Sequence, residues 1–228
     1  MFKDVTILCL KIGRFKKMEL LEFKEKVFEI LNCKDVSEIG NKLLIAVTKN
    51  NSAIFEQFEN ILTNEKDWLQ ALWQYYEADR IEKKQDYTPE SLCRLVSALA
   101  GECESVYDCC GGSGALTLNI LKKQDVKDVY VEELDKRVIP FLLFNLAIQN
   151  ASGYVVNGDV LSGEVTKAYR IIKGEKYSKV EEISPDIVPK TTADVAVSNP
   201  PYNIKWQPPL PIENDRRFPI VPPASNAN

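Results

Sequence analysis

The sequence predicts a doubly wound α/β sheet behind a small all-helical domain, and three observations lead there. Apolar residues recur at helical spacing from Leu20 to Tyr76, whereas from Ser105 onward short apolar runs alternate with helical patterns. A glycine cluster, Gly111-Gly112-Ser113-Gly114, separates the first of those runs from the helix after it. The later runs lead into an acid or an amide: Glu133, Asp159 and Asn199.

The helical domain is expected over residues 1–84. Leu20, Phe23, Val27, Ile30 and Leu31 share one helical face, as do Val36, Ile39, Leu43 and Val47. So do Ile54, Phe58, Ile61 and Leu62, and then Trp68, Leu69, Leu72, Trp73 and Tyr76. Polar breaks at Asn50-Asn51 and Thr63-Asn64 separate the stripes, which predict four amphipathic helices packed on their apolar faces.

The sheet domain is expected over residues 85–228. Thr88-Pro89-Glu90 opens a helix with proline at its first position, and Leu92, Leu95, Val96 and Leu99 are expected to face inward. Ser105–Asp108 reads as a strand, followed by the glycine loop and a helix through Leu116 and Ile120. Val129–Val131 is the second strand, Ile139–Ile148 the next helix, Tyr154–Val156 the third strand and Val195–Val197 the fourth. Strands alternating with helices imply parallel pairing. Residues 160–193 are long for a connection, and Tyr169 to Val180 read as a hairpin around Gly174-Glu175. After Tyr202 the prolines 208, 209, 211, 219, 222 and 223 predict extended chain. No apolar run follows Tyr202, so the C-terminal strands of the sheet are expected to be missing, supplied by a longer subunit or another chain.

Composition narrows the chemistry. The 228 residues contain no histidine, which excludes histidine triads, histidine-ligated metals and histidine bases. The six cysteines lack metal-ligand spacing, so no metal is expected and reduced thiols in the cytoplasm are. No membrane span or signal peptide is evident. A net charge of −4 argues against general polyanion binding, so nucleic acid would need a local basic surface or a partner.

The loop Asp108-Cys109-Cys110-Gly111-Gly112-Ser113-Gly114 is a candidate nucleotide cradle, because glycines let backbone N–H groups approach a ligand. Glu133 follows where an acid reaches a ribose hydroxyl pair. Asp108 would repel a pyrophosphate but suits a cationic cofactor such as S-adenosylmethionine, with its ammonium and sulfonium groups. Asp159 either closes a turn or accepts from an adenine amino group. Cys109-Cys110 reads as small filler, with no basic neighbour to activate it.

Asn199-Pro200-Pro201-Tyr202 ends the strand beside the cofactor strand, where open α/β sheets bind ligands. The Asn199 amide oxygen and the Pro200 carbonyl are two acceptors suited to a planar –NH2 group. Holding both its protons restores density to the nitrogen and aligns it with a methyl donor, and such positioning is worth roughly 7–11 kcal/mol. Tyr202 offers a stacking face worth roughly 1–3 kcal/mol, against the few kcal/mol needed to extrude a base.

These stretches resemble the amino-methyltransferases of DNA adenine, in particular the methylation subunit of type I restriction–modification systems. The resemblance runs from Gln85 to the C-terminus. Gln85-Asp86-Tyr87-Thr88-Pro89 is similar to the family's Gln-aromatic-aromatic-Thr-Pro stretch, which implies that Tyr87, Thr88 and Pro89 line the methionine end of the cofactor. Asp108 to Gly114 resembles the Asp-Pro-x-x-Gly-Ser-Gly loop, with Cys109 replacing proline, and so points to Asp108, Gly112, Ser113 and Gly114. Glu133 matches the ribose acid and Asp159 the acid near the cofactor adenine. Asn199, Pro200, Pro201 and Tyr202 match the catalytic Asn-Pro-Pro-aromatic motif. Trp206, Asp215-Arg216-Arg217-Phe218 and Pro222-Pro223-Ala224-Ser225 resemble a segment particular to the type I subunits.

The resemblance implies a Rossmann-like S-adenosylmethionine-dependent methyltransferase acting on adenine N6 in double-stranded DNA, with the base flipped out. It also implies a specificity subunit and a restriction subunit as partners. Two alternatives remain at the level of sequence. One is methylation of a protein glutamine, as by the release-factor methyltransferases; the other is a cofactor-binding fragment without turnover.

Overall fold

The computed structural model describes residues 20–62, 68–76, 88–189 and 192–200. Helix α1 covers residues 20–31, followed by a 3-10 turn at Val36–Glu38, α2 at Ile39–Thr48, α3 at Ser52–Glu59 and α4 at Trp68–Tyr76. The four helices expected from the stripes are all present. Side-chain oxygens cap two of the starts: Asp35 accepts from the Ser37 N–H, and Asn51 accepts from the Ile54 N–H. Helix α5 (Glu90–Leu99) opens the sheet region. Strand β1 (Ser105–Asp108), α6 (Ala115–Leu121), β2 (Asp128–Glu133), α7 (Ile139–Ile148) and β3 (Gly153–Asp159) then alternate as the sequence predicts. The expected hairpin is β4 (Glu164–Ile172) with β5 (Lys179–Ile183), and β6 (Val195–Val197) is last among the described strands.

The sheet order is β5-β4-β3-β2-β1-β6. Strand β1 pairs in parallel with β2 and with β6, and β2 pairs in parallel with β3. The chain winds one way from β1 through β3, and β6 lies on the other side. This is a Rossmann-like α/β arrangement whose order reverses at β1, the place where such sheets bind ligands. The hairpin adds two antiparallel strands beyond β3, with a bulge at Asn157/Gly158.

Helix α7 joins the layers. Residues Ile139 to Ala147 are all buried. A helix apolar on every side has to be covered on every side. The helical region supplies one cover: Trp73 packs on Phe141 at 5.3 Å between ring centroids, and Phe55 and Phe58 pack on Phe144 at 5.0 and 4.6 Å. The buried residues of α1–α4 and of the sheet therefore form one contiguous cluster.

The hairpin acquires a structural role that its sequence does not announce. Tyr177, in its turn, packs on Phe55 at 4.8 Å, and Lys176 pairs with Glu59 at 2.8 Å. Ser178 donates to the Ala151 carbonyl, and its N–H donates to Ala147 at the end of α7. The insertion thus extends the sheet and clamps it to the helices.

One expectation is corrected. Leu92, Leu95 and Leu99 of α5 are 41%, 53% and 77% exposed, whereas Cys93 and Ser97 are buried. Helix α5 meets α6 through its small-residue face, where the Ser97 hydroxyl donates to the Asn119 carbonyl at 3.1 Å. Small residues permit that close approach, and the leucine stripe is left outside.

Truncation of Phe55 tests the clamp. Phe55→Ala removes a fully buried ring that touches both α7 and the hairpin. It is expected to cost about 3–5 kcal/mol in chemical denaturation. A loss below about 1 kcal/mol would show that the ring is not shared by the two layers.

Candidate active site

Parallel pairing gathers the strand ends. Asp108, the last residue of β1, stands opposite Val131 of β2 and Val197 of β6. Glu133 and Asn199 each lie two residues beyond those partners, about 7 Å further along the strand direction. An acid and an amide far apart in sequence therefore flank one loop.

The loop is held by backbone bonds. The Gly111 N–H donates to the Glu132 carbonyl at 3.0 Å, and the Gly114 N–H donates to the Gly111 carbonyl at 2.8 Å. Glycine is required at two points for different reasons. A Cβ on Gly111 would sit 2.2 Å from Val131 Cγ1, and Gly114 enters α6 with φ of 98°. Ser113 is buried: its carbonyl accepts from Asn145 Nδ2 at 3.0 Å, while its hydroxyl finds no partner among the described residues.

Glu133 uses both carboxylate oxygens on backbone. Oε2 accepts from the Gly112 N–H at 2.8 Å and Oε1 from the Asp135 N–H at 2.7 Å. Each oxygen has a second lone pair, so the carboxylate can still accept from two hydroxyls. Burial pushes its pKa up, and the two N–H donors oppose that shift. Beside it Leu134 is 67% exposed. Sequence reading passed over Leu134, although an apolar residue in a turn directly after a strand-ending acid is itself a signal. Leu161 is exposed beside Asp159 in a similar way, and Asp159 Oδ1 accepts from the Leu161 N–H at 2.9 Å. Asn157, also unanticipated, ties β3 to this corner by donating to the Glu133 and Leu134 carbonyls at 2.8 and 3.0 Å.

Asp108 faces inward. It is 1% exposed; Oδ2 accepts from the Thr117 hydroxyl at 3.0 Å and Oδ1 from the Cys110 N–H at 3.3 Å. Burial raises its pKa to about 7 against the pull of those donors. Its immediate effect is to tie the loop to α6, through a threonine that no local sequence signal singles out. At the loop's other edge the Cys109 thiol donates to the Ser198 hydroxyl at 3.3 Å, linking the loop to the end of β6.

Asn199 is half-buried, and its Nδ2 donates to the Thr88 hydroxyl at 2.9 Å. Thr88 is itself buried, and its carbonyl accepts from the Cys93 thiol at 3.7 Å. The structure thus joins the Thr88-Pro89 stretch to the Asn199-Pro200 turn, which are 111 residues apart. Pro89 and Pro200 are exposed at this junction. Tyr87, Pro201 and Tyr202 lie outside the described residues. No group of three or more histidine, cysteine or carboxylate side chains that could hold a metal occurs among the described residues.

The Asp108 carboxyl carries a pH test. An acid whose folded pKa exceeds its unfolded value stabilises the fold below the unfolded pKa, near 3.8, and that contribution is lost as pH rises through about 7. Asp108→Asn stays neutral throughout. It is expected to gain stability relative to the parent between pH 5 and pH 8, by a few kcal/mol at the upper end. Urea denaturation at both pH values measures this, and identical pH slopes for the two proteins would refute it.

A family model described as N-6 DNA Methylase matches residues 67–228. No curated protein matches. Among solved structures, a Listeria monocytogenes protein described as a class I S-adenosylmethionine-dependent methyltransferase aligns with a TM-score of 0.39 and 15% identity, covering 64% of this chain and 56% of that one. The chain therefore spans little more than half the length of that protein. S-adenosylmethionine is the cofactor that a methylase family implies, and the residues present fit it. The Glu133 carboxylate retains lone pairs for a ribose, the exposed Leu134 and Leu161 give apolar faces for a purine, and the loop glycines admit close approach. The family match extends over more than half of the sequence and takes in every one of these groups: the chain belongs to the N-6 DNA methylase family.

Proposed function

We propose that this chain is the catalytic part of an S-adenosylmethionine-dependent methyltransferase that modifies the N6 amino group of adenine in double-stranded DNA. We place it as the modification subunit of a type I restriction–modification system. The observation that carries this reading is the hydrogen bond from Asn199 to Thr88, which joins the acceptor turn to the segment expected beside the methionine end of the cofactor.

Bound S-adenosylmethionine supplies an electrophilic methyl group on its sulfonium. The chain's own residues do the rest. Glu133 accepts from the ribose hydroxyls while keeping the Gly112 N–H, so nucleoside binding and loop shape are coupled. Asp159 and Leu161 close the adenine side. Asp108 maintains the loop from beneath, by way of Thr117 and Cys110. Thr88 and Pro89 border the methionine end.

At the acceptor, Asn199 Oδ1 and the Pro200 carbonyl accept the two protons of the adenine amino group. That opposes delocalisation of the nitrogen lone pair into the ring, and it fixes the nitrogen in line with the methyl. The N–C bond would form as the S–C bond of the sulfonium breaks, leaving a neutral thioether, and the surplus proton on N6 would leave along one of these hydrogen bonds to water. A chain without histidine suits this chemistry, because orientation supplies the rate rather than a strong base. Tyr202 stacks on the extruded base and offsets part of the cost of flipping.

The net charge of −4 supports delegating sequence recognition to a specificity subunit, with a restriction subunit completing the assembly. Among the described residues no helix is long and apolar enough to cross a membrane; we place the activity on DNA in the cytoplasm. The family match favours DNA adenine over a protein glutamine as the acceptor.

Transfer of tritium from labelled S-adenosylmethionine to DNA, measured with the specificity subunit present, tests this function. Asn199→Ala is expected to reduce transfer at least about a hundredfold while the protein still binds cofactor. Transfer that persists in the variant would overturn the role of Asn199. Absence of transfer by the parent protein would overturn the activity.

A further inference from the structure

We propose that Cys109 and Cys110 are a reversible modification site: a peroxide joins the two thiols in a disulfide, and the closed ring draws the glycine loop out of the shape that meets a nucleoside. The second half of this inference rests on the methyl-transfer reading above, and the first half stands without it.

The pair directly follows β1, so parallel pairing places it beside the end of β6. Cys109 Sγ and Ser198 Oγ are 3.3 Å apart, and the two thiols lie within hydrogen-bonding reach of each other. Ser198 is exposed and both cysteines are half-buried, so the cluster opens to solvent. Cys33, Cys93 and Cys103 are buried, which leaves this pair as the accessible thiols among the described residues.

The sequence places no cation beside these thiols, yet the cluster supplies its own donors. A thiolate at either sulfur can accept from the other thiol and from the Ser198 hydroxyl, whichever way those protons point at rest. The Cys110 thiol, and after it Ser198, hold the Cys109 pKa down to about 6 against burial and the Glu132 charge. Contact with Cys109, and then burial, push the Cys110 thiol up. The pair therefore releases one proton readily at neutral pH and keeps the second.

The thiolate is the form that an oxidant attacks. Its sulfur displaces hydroxide from the O–O bond of a peroxide and becomes a sulfenic acid, and the hydroxide takes up the proton first lost by the pair. The neighbouring thiol then attacks that sulfur. The S–S bond forms, the S–O bond breaks, and the oxygen leaves as water with the proton of the attacking thiol. Two electrons pass from the pair to the peroxide, and a dithiol reductant returns them.

Consecutive Cα atoms stand about 3.8 Å apart across a trans peptide, closer than the roughly 4.4–6.8 Å of a relaxed disulfide. The ring is therefore strained, and strained disulfides are the readily reduced ones. The Cys109-Cys110 backbone has to take up that strain. It carries the Cys110 N–H bound to Asp108 Oδ1, and next to it the Gly111 N–H on the Glu132 carbonyl. The Gly112 N–H on Glu133 Oε2 follows at 2.8 Å. Turning this backbone shifts the donors that set the loop against Glu133, the acid read as the ribose ligand.

The test uses the full-length chain at neutral pH, with hydrogen peroxide as the oxidant. Cleavage after Glu104 and Glu132 yields a peptide whose cysteines are Cys109 and Cys110 alone. After treatment this peptide is expected to be lighter by two hydrogens and to regain them with dithiothreitol. Affinity for S-adenosylhomocysteine is expected to fall at least about tenfold on closure and to return on reduction. In Cys109→Ser it is expected to withstand peroxide.

An unchanged peptide mass, or a gain of oxygen without loss of hydrogen, would overturn the disulfide. Closure with unchanged affinity would overturn its effect on the loop, as would an equal loss of affinity in peroxide-treated Cys109→Ser. If the reduced chain does not bind S-adenosylhomocysteine, the nucleoside reading fails and the digest still decides whether the pair closes. Cys109→Ala provides the same comparison should the serine variant not fold.

Discussion

Everything at the candidate site depends on β1 having a parallel neighbour on each side. Pairing with β2 brings Glu133 to one flank of the glycine loop, and pairing with β6 brings Asn199 to the other. Neither proximity is available to local chain: Thr88 and Asn199 are 111 residues apart, and the residues between them include all six described strands of the sheet. Because parallel strands all point the same way, their carboxyl ends collect at one edge of the sheet. A short strand such as β6 suffices, since three paired residues fix the direction in which the Asn199-Pro200 turn leaves the sheet.

That edge can be precise only if the sheet behind it does not move, and α7 supplies the stiffness. Its burial on all sides means that the sheet and the helices over it share one core rather than two apposed surfaces. The hairpin reinforces this join through Tyr177 on Phe55 and Lys176 on Glu59. The aromatic contacts outweigh the ion pair, which is largely solvent-exposed and so contributes little. On one sheet face a lateral row continues the same logic: Tyr130 stacks on Tyr154 at 5.6 Å, and the Arg170 guanidinium lies 4.2 Å above Tyr154. These cross-strand contacts fix the register of β2, β3 and β4 relative to one another.

Much of this is legible in the sequence, and the exceptions have physical causes. Strand ends, the glycine loop and the alternation of elements are written in local pattern, so Asp108, Glu133 and Asn199 could be assigned to strand ends before any fold was known. The inward turn of Asp108 could not, because its partner Thr117 lies in the first turn of α6 and nothing in the local pattern distinguishes it from its neighbours. The leucines of α5 misled for a related reason. Periodicity identifies an apolar face but not the surface it meets, and α5 packs through Cys93 and Ser97 where the backbones come close. The Asn199–Thr88 hydrogen bond joins two stretches that were each recognisable alone, while their contact is a property of the tertiary structure only.

We propose that the loop from Asp108 to Gly114 and the Glu133 carboxylate form one nucleoside site beside the Asn199 turn. Calorimetric titration of the chain with S-adenosylhomocysteine addresses it most directly, since binding requires neither DNA nor partner subunits. Saturable binding at one site per chain, strongly weakened by Glu133→Ala, is expected. Absence of binding by the parent chain, or equal affinity in the two proteins, would contradict it.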